Sequence, residues 1–188
     1  MNINLEECQL NREEKIMKVK ELKVIYDERF IPKVIEMFEK DIPKEVYNGG
    51  YKSEEVYSLL EYMYNVPYLI EENAYIVAFY DDKLIGTFHL SQGTDADCDM
   101  DTKAIYRFLL LVGANRYTIV HNHPNCKDNM SQNDFEITNK LMELDSNFDM
   151  QMINHIVIGK DNWRCIDFEV LEMNMNDIDD VNDYYNKE

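Results

Sequence analysis

The sequence predicts an α/β (α+β) protein in which helices pack on a mixed, mainly antiparallel sheet. Strand-like segments alternate with segments of helical apolar spacing, and two β-rich runs flank a short polar break within residues 74–91. The length of 188 residues suits one domain with an appendage. With 45% apolar and 12% aromatic residues, the chain can bury a core.

Residues 1–50 are predicted to form an N-terminal arm with one short strand and one helix. Residues 1 to about 20 are too polar for a packed face and predict a frayed helix or a flexible arm. LKVIY at 22–26 is typical of a strand. IPKVIEMFEK at 31–40 has the i, i+3, i+4 spacing of an amphipathic helix, with Pro32 near its first turn.

The predicted core domain spans residues 51–172 and begins with a helix over EEVYSLLEYMYN, for which Ser53 is the expected N-cap. AYIVAFY at 74–80 and KLIGTFHLS at 83–91 then predict an antiparallel hairpin, because a short polar break separates them.

The second half of the core is predicted to alternate between helices and strands. TKAIYRFLLLVGA indicates a helix that ends at Gly113, and RYTIVH at 116–121 a buried strand. A helix at about 132–145 and the strands MINHIVIG and WRCIDFEV follow. Residues 173–188 are acidic and rich in Asn, which predicts a disordered tail.

The net charge disfavours binding to nucleic acids and membranes, and the cysteine spacing disfavours a disulfide framework. The 37 acidic and 19 basic residues give a net charge of −18, which repels phosphate backbones and anionic lipid heads. We therefore expect neither a nucleic-acid nor a membrane partner. The N-terminal segment lacks the features of a secretory signal, which favours a cytoplasmic protein. The four cysteines are far apart and predict reduced thiols.

The segment IVHNHPNCKDNMSQNDFEIT at 119–138 carries the clearest candidate chemistry. His121 and His123 stand two apart at the end of a predicted strand, so both imidazoles project to one face. Asp134 supplies a third ligand if the intervening loop folds back. Three protein ligands with an open fourth position are typical of catalytic zinc, which lowers the pKa of a bound water towards 7. An isolated H-x-H is more often a chance pair.

Ser131 and Asp134 also form the S-x-x-D pattern of a helix N-terminus, and most such patterns are capping boxes without chemistry. The two interpretations are compatible. An Asp in the first helical turn is kept ionised by the backbone N–H groups there, as a metal ligand requires.

H-N-H-P followed by S-x-x-D, with a strand and helix before it and H-I-V-I-G after it, resembles the RadC-like branch of the JAB/MPN (JAMM) metalloprotease family. The resemblance covers about residues 53–170 and implies a cytidine-deaminase-like fold. It implies one Zn²⁺ per chain, with His121, His123 and Asp134 as ligands. It also implies that Ser131 assists the tetrahedral intermediate.

The same resemblance calls for a glutamate at the start of the first core strand, acting as general acid and base. Glu72 stands just before AYIVAFY and is our choice. If the strand boundary is shifted by one residue, the general base is Glu71 instead. The alternative without catalysis is that the glutamate is simply a solvated acid at the start of a strand. A carboxylate in this place can take a proton from water and return it to the leaving amine.

The sequence departs from the family in the loop between the ligands. Where relatives have the sequence H-N-H-P-S-G-D, this chain has Cys126 in place of the glycine. Because the backbone freedom of glycine is lost, the family pattern does not predict the course of this loop. Cys126 is either a fourth zinc ligand or a reduced bystander. Asn154 and His155 replace the usual D-H; His155 either orients a ligand, contacts substrate or simply packs, as we expect of His89.

Three functions follow from these residues. The first is a zinc-dependent hydrolase of peptide or isopeptide bonds, with an unidentified peptide or protein substrate. The second is a non-catalytic binding module of the same fold, against which the intact ligand set argues. The third is a RadC-type role in DNA repair or mobile-element biology, although no basic stripe is available to neutralise phosphates. Specificity is expected to reside in the loop at 92–101.

Overall fold

A seven-stranded mixed sheet organises the protein. The computed structural model describes residues 15–124, 129–160 and 162–166. Its strands are β1 (Ile16–Tyr26), β2 (Pro32–Pro43), β3 (Asn73–Tyr80), β4 (Lys83–Gln92), β5 (Arg116–Asn122), β6 (Gln151–Ile158) and β7 (Trp163–Ile166). The helices are α1 (Ser53–Tyr64), α2 (Thr102–Val112) and α3 (Gln132–Phe148), with a 3-10 turn at Val66–Tyr68.

The strand order is β2-β1-β4-β3-β5-β6-β7. The pairs β1–β4 and β5–β6 are parallel, whereas the other four neighbouring pairs are antiparallel. The predicted mixed, mainly antiparallel sheet is therefore confirmed, and so is the β3–β4 hairpin.

The N-terminal segment differs from our prediction, because residues 31–40 form strand β2 rather than an amphipathic helix. β2 pairs along its length with β1, and the Asp27 side chain closes the turn by accepting N–H bonds from Arg29 and Ile31. Short apolar spacing does not distinguish a helix from a strand, and a ten-residue helix is marginal without a partner. Here the partner strand decides the structure.

The polar arm is also shorter than expected, because β1 starts at Ile16. The polar residues of this stretch form cross-strand ion pairs, with Lys18 Nζ 2.8 Å from Glu39 and Lys20 Nζ 2.7 Å from Glu36. Opposite charges on facing strands contribute to strand pairing, and the hairpin also buries Val19 and Ile42 on the side of α1. The hairpin joins the sheet through parallel β1–β4 pairing, where Gly86 admits the carbonyl of Lys20.

Helices cover both faces of the sheet. The α1 face buries Val56, Leu59 and Leu60 against Tyr75 and Val77 of the sheet. The opposite face packs Phe108 of α2 and Leu141 of α3 against alternate sheet residues, which include Ala74, Ile76, Tyr117 and Ile119. Odd-numbered residues of β5 therefore face α3, and this alternation decides where the side chains that follow on the strand point.

Most predicted boundaries agree with the structure. α2 ends at Gly113, whose φ of 71° is the left-handed conformation that favours glycine. Ser53 is the first helical residue of α1, so the predicted N-cap is wrong and Lys52 takes that position. Cys126 and the predicted tail at 173–188 lie outside the described residues, and the division into three segments stays a prediction. Over the described ranges, the helices are too short or too polar to cross a bilayer.

Candidate metal centre

His121 and His123 lie at the carboxyl end of β5, on the face covered by α3. Their Nε2 atoms are 2.9 Å apart, and the two side chains are 0% and 9% exposed. The pairing of β5 with β3 ends at His121. Beyond that residue the chain still hydrogen-bonds to β6, because the His123 N–H donates to the carbonyl of Ile158. The i, i+2 alternation predicted this shared face, and the structure has it.

Asp134 approaches the two histidines from the first turn of α3. Its Oδ1 lies 3.2 Å from His121 Nε2, and its Oδ2 lies 3.4 Å from His123 Nε2. A capping box holds it: Ser131 N–H donates to Asp134 Oδ2, and Asp134 N–H donates to Ser131 Oγ. Burial opposes ionisation of Asp134, but the facing histidines outweigh that cost and hold its pKa well below the usual range.

A hydrogen-bond chain fixes which nitrogen of His121 carries a proton. The Thr138 hydroxyl donates to the Asp134 carbonyl at 2.6 Å, so its oxygen accepts from His155 Nδ1 at 2.7 Å. Burial lowers the pKa of His155 to about 3, which leaves the ring neutral at pH 7. Its Nε2 is then an acceptor, 2.9 Å from His121 Nδ1. His121 Nδ1 therefore carries a proton, so that in the neutral ring the lone pair lies on Nε2.

Glu72 precedes β3 and faces the same point. One of its carboxylate oxygens lies within 4.8 Å of a ring nitrogen of His121 and of His123. Burial raises the pKa of the Glu72 carboxyl, and the nearby histidines oppose this shift only in part. The Cys98 thiol, 3.5 Å away, donates a hydrogen bond to Glu72 Oε1. Among the described residues, it is Glu72 and not Glu71 that lies beside the histidines.

A cavity of about 960 Å³ opens beside this cluster. Glu72, His123, Ser131 and Asp134 contribute to its inner wall, and the loop after β4 forms much of its rim. A side chain at Gly93 would collide with the carbonyl of Asp97, so the loop requires glycine there. The cavity therefore reaches His123 and Asp134 of the cluster.

The donor set is compatible with a metal ion, and imidazole and carboxylate are among the ligand types that zinc takes. Ligand atoms around tetrahedral zinc, each 2.0–2.2 Å from the metal, lie about 3.3 to 3.6 Å apart. Asp134 Oδ1 lies 3.2 Å from His121 Nε2 and Oδ2 lies 3.4 Å from His123 Nε2, close to this range, whereas the two Nε2 atoms, at 2.9 Å, are closer together than ligands of one zinc ion. Two sets of three side chains have ligand atoms within 4.8 Å of one another. One set is Glu72, His121 and His123, and the other is His121, Asp134 and His155. Since His155 Nε2 accepts from His121, we assign His155 to orientation rather than ligation.

Some functional candidates were not identified from the sequence. Thr138 stands one helical turn after Asp134, and that i, i+4 spacing is the available signal. Cys98 has no local signal, because only the fold of its loop brings it to Glu72. His89, expected to pack, stacks on Tyr75 and hydrogen-bonds Asn73 at 2.9 Å.

Comparison with known proteins gives the family. The model of the RadC-like JAB domain matches residues 51–171, which is well over half of the chain. The chain belongs to the RadC-like JAB family. The match begins just before α1, so the β1–β2 hairpin precedes the matched part of this RadC-like JAB protein, and every candidate site residue lies within it.

Relatives of this RadC-like JAB protein occur among cyanobacteria. It is 28% identical over 96 residues to a UPF0758 protein of Gloeothece citriformis, covering 51% of this chain and 40% of the relative. It is 29% identical over 84 residues to a UPF0758 protein of a Cyanothece strain, covering 45% and 35%. The aligned part thus spans two fifths or less of these relatives, whose names state no activity.

Proposed function

We propose that this protein is a zinc-dependent hydrolase of peptide or isopeptide bonds. The supporting observation is the meeting of His121, His123 and Asp134 within 3.4 Å of one another at the base of an open cleft. A carboxylate that is not needed as a ligand, Glu72, faces the same point. Three protein ligands next to a solvent-accessible position are the arrangement of catalytic rather than structural zinc.

His121, His123 and Asp134 would hold the ion. When bound, zinc would polarise the scissile carbonyl and make hydroxide available near pH 7. Glu72 acts as the general base: it takes a proton from the attacking water as the new C–O bond forms. It then returns that proton to the amine nitrogen as the C–N bond breaks. Burial keeps the pKa of Glu72 above its ordinary value, which brings the carboxyl closer to the working pH.

Besides capping α3, Ser131 donates a hydrogen bond to the developing oxyanion in the proposed mechanism. Its Oγ accepts the Asp134 N–H as the N-cap of α3, and its hydroxyl proton is then available to the cleft that it lines. Hydrogen-bond donors aimed at a developing oxyanion stabilise acyl-transfer transition states. Capping and catalysis are therefore compatible at this residue.

The two alternative functions have weaker support. A binding module of this fold does not need the hydrogen bonds that link Thr138, His155 and His121, nor a buried carboxylate at the cleft. A role in DNA transactions is associated with the RadC name, but the net charge of −18 opposes contact with a phosphate backbone. We accordingly propose a peptide or protein substrate and a cytoplasmic site of action.

Hydrolysis by matched proteins tests the proposal. Zinc-loaded wild-type protein and Glu72→Gln are incubated with internally quenched peptides and with a peptide joined through a lysine ε-amine. We expect cleavage by the wild type and a loss of about 10²- to 10⁴-fold in Glu72→Gln, the range typical of a lost acid–base group. Equal cleavage by the two proteins, or none by the wild type, would contradict the proposal.

A further inference from the structure

Asn122, the central residue of the H-N-H motif, is buried and hydrogen-bonded to the segment that carries Glu72. It is 2% exposed, and strand alternation turns it away from the face of His121 and His123. Its Oδ1 accepts the Asn73 N–H at 2.8 Å, and its Nδ2 donates to the Glu71 carbonyl at 3.0 Å. It therefore binds the residues on both sides of Glu72.

These two bonds replace a missing part of the β3–β5 ladder. The pairing of β3 with β5 ends at Ala74 and His121, whereas Asn122 continues in register with Ile158 of β6. Beyond that point the side-chain amide of Asn122 supplies the donor and the acceptor that a facing peptide group would have supplied. Aspartate lacks the donor and serine lacks the reach, so Asn matches this place.

The peptide groups of Glu72 itself are held from the other side. Its N–H donates to the Thr94 carbonyl at 2.6 Å, and its carbonyl accepts the Gly93 N–H at 2.8 Å. The backbone around Glu72 is thus fixed by Asn122 on one side and by the loop after β4 on the other. A fixed backbone directs the carboxylate towards the histidines.

We propose that Asn122 is a positioning residue that sets the distance between Glu72 and the histidine pair. The inference rests on the proposed role of Glu72 as general base. Asn122 is covalently linked to both histidines and hydrogen-bonded to both neighbours of Glu72, so one residue ties the base to the ligand-bearing strand. Small displacements of a catalytic group are costly, since about 1 Å can lower turnover about 10²-fold.

A double-mutant cycle tests this role. Zinc content, kcat and KM are measured for wild type, Asn122→Ala, Glu72→Gln and the double variant on the best-cleaved quenched peptide. We expect Asn122→Ala to retain zinc and KM, to lose about 10²-fold in kcat, and to cause no further loss when Glu72 is already Gln. An additive loss in the double variant, or wild-type kcat in Asn122→Ala, would overturn the proposal. Asn122→Ser serves if the alanine variant does not fold.

Hydrogen–deuterium exchange separates this proposal from the hydrolase proposal, because it needs no substrate. We expect exchange in a peptide covering residues 69–76 to rise in Asn122→Ala. Ile166→Ala, which truncates a buried side chain of β7 that packs with Val157 and Met130, is the control for general destabilisation and leaves that peptide unchanged relative to its neighbours. Unchanged exchange at 69–76 in Asn122→Ala would overturn the positioning role, whereas a wild type that cleaves nothing would overturn only the hydrolase.

Discussion

The Nε2 of His155 lies 2.9 Å from the Nδ1 of His121, and this contact determines the chemistry of the opposite nitrogen. Because His155 is neutral and bonded through Nδ1 to Thr138, it accepts from His121. In the neutral ring, the lone pair of His121 lies on Nε2, which faces His123 and Asp134. Outer partners of this kind orient ligand histidines and raise their affinity for metals.

Removing the Thr138 hydroxyl is therefore expected to weaken metal binding. Thr138→Val deletes the acceptor of the His155 Nδ1–H, so the tautomer of His121 is no longer enforced. We expect the zinc dissociation constant to rise about 10- to 100-fold, measured by competition with a chromophoric chelator.

Thr118→Val is the matched control for this change. Thr118 is also fully buried, on β5, but its hydroxyl has no hydrogen-bond partner among the described residues. We expect its zinc affinity to equal that of the wild type. An equal weakening in both variants would show that the loss reflects general destabilisation.

Stability at alkaline pH tests a buried network beneath α3. Asp145 accepts O–H bonds from Tyr106 at 2.6 Å and from Tyr117 at 3.0 Å. Burial raises the pKa of both phenols above 10, with the Asp145 charge adding to the shift. Above pH 10 the unfolded phenols ionise while the folded ones stay protonated, so the free energy of unfolding falls as pH rises.

The expected fall approaches about 1.4 kcal/mol per pH unit for each such phenol well above pH 10. Urea unfolding between pH 9 and 11 measures it. Tyr117→Phe removes one titrating group, so its stability should fall less steeply than that of the wild type over the same interval. An equal or steeper fall in Tyr117→Phe would show that Tyr117 does not titrate in this way.

The charge of the cleft predicts a preference among substrates. Asp97, Asp99 and Glu136 line the cavity, with Lys140 as the counter-charge. Clefts lined by one sign of charge concentrate ligands of the opposite sign. We expect peptides with Lys or Arg beside the scissile bond to be cleaved faster than the same peptides with Glu. The preference should shrink at 1 M salt, where the screening length is about 3 Å.

Neutralising charges at two places checks the origin of this preference. Asp97→Asn with Asp99→Asn should reduce it. Asp41→Asn with Glu45→Gln removes two charges near the start of β1, at the opposite end of the sheet, and should leave it unchanged. The same reduction by both pairs would indicate the overall net charge instead of the cleft.

Local patterns were sufficient for the core but not for the N-terminal hairpin. The β3–β4 hairpin has strand-type residues around a two-residue turn, and Gly113 marks a helix end, so each is encoded within a few residues. β1 and β2 depend on each other: Lys18 and Lys20 look like solvated arm residues until the glutamates of β2 face them. Spacing within either segment does not contain that information.

In the site, too, local patterns predicted some residues, whereas others depend on contacts between distant parts of the chain. Strand alternation puts His121 and His123 on one face, and the S-x-x-D pattern brings Asp134 into the first turn of α3. His155 is 34 residues from His121, and Cys98 is 26 residues from Glu72. Such contacts arise only when strands and loops distant in sequence are brought together. The sequence therefore left the role of His155 open between orienting a ligand, contacting substrate and packing, and it did not identify Cys98.

Zinc content per chain is the most direct test of the metal centre. It is measured by mass spectrometry of the metal after dialysis in buffered zinc, for wild type, Glu72→Gln and His121→Ala. We predict one zinc in the wild type, one in Glu72→Gln because that residue is not a ligand, and close to none in His121→Ala. Wild-type protein without zinc, or His121→Ala with a full equivalent, would contradict the account.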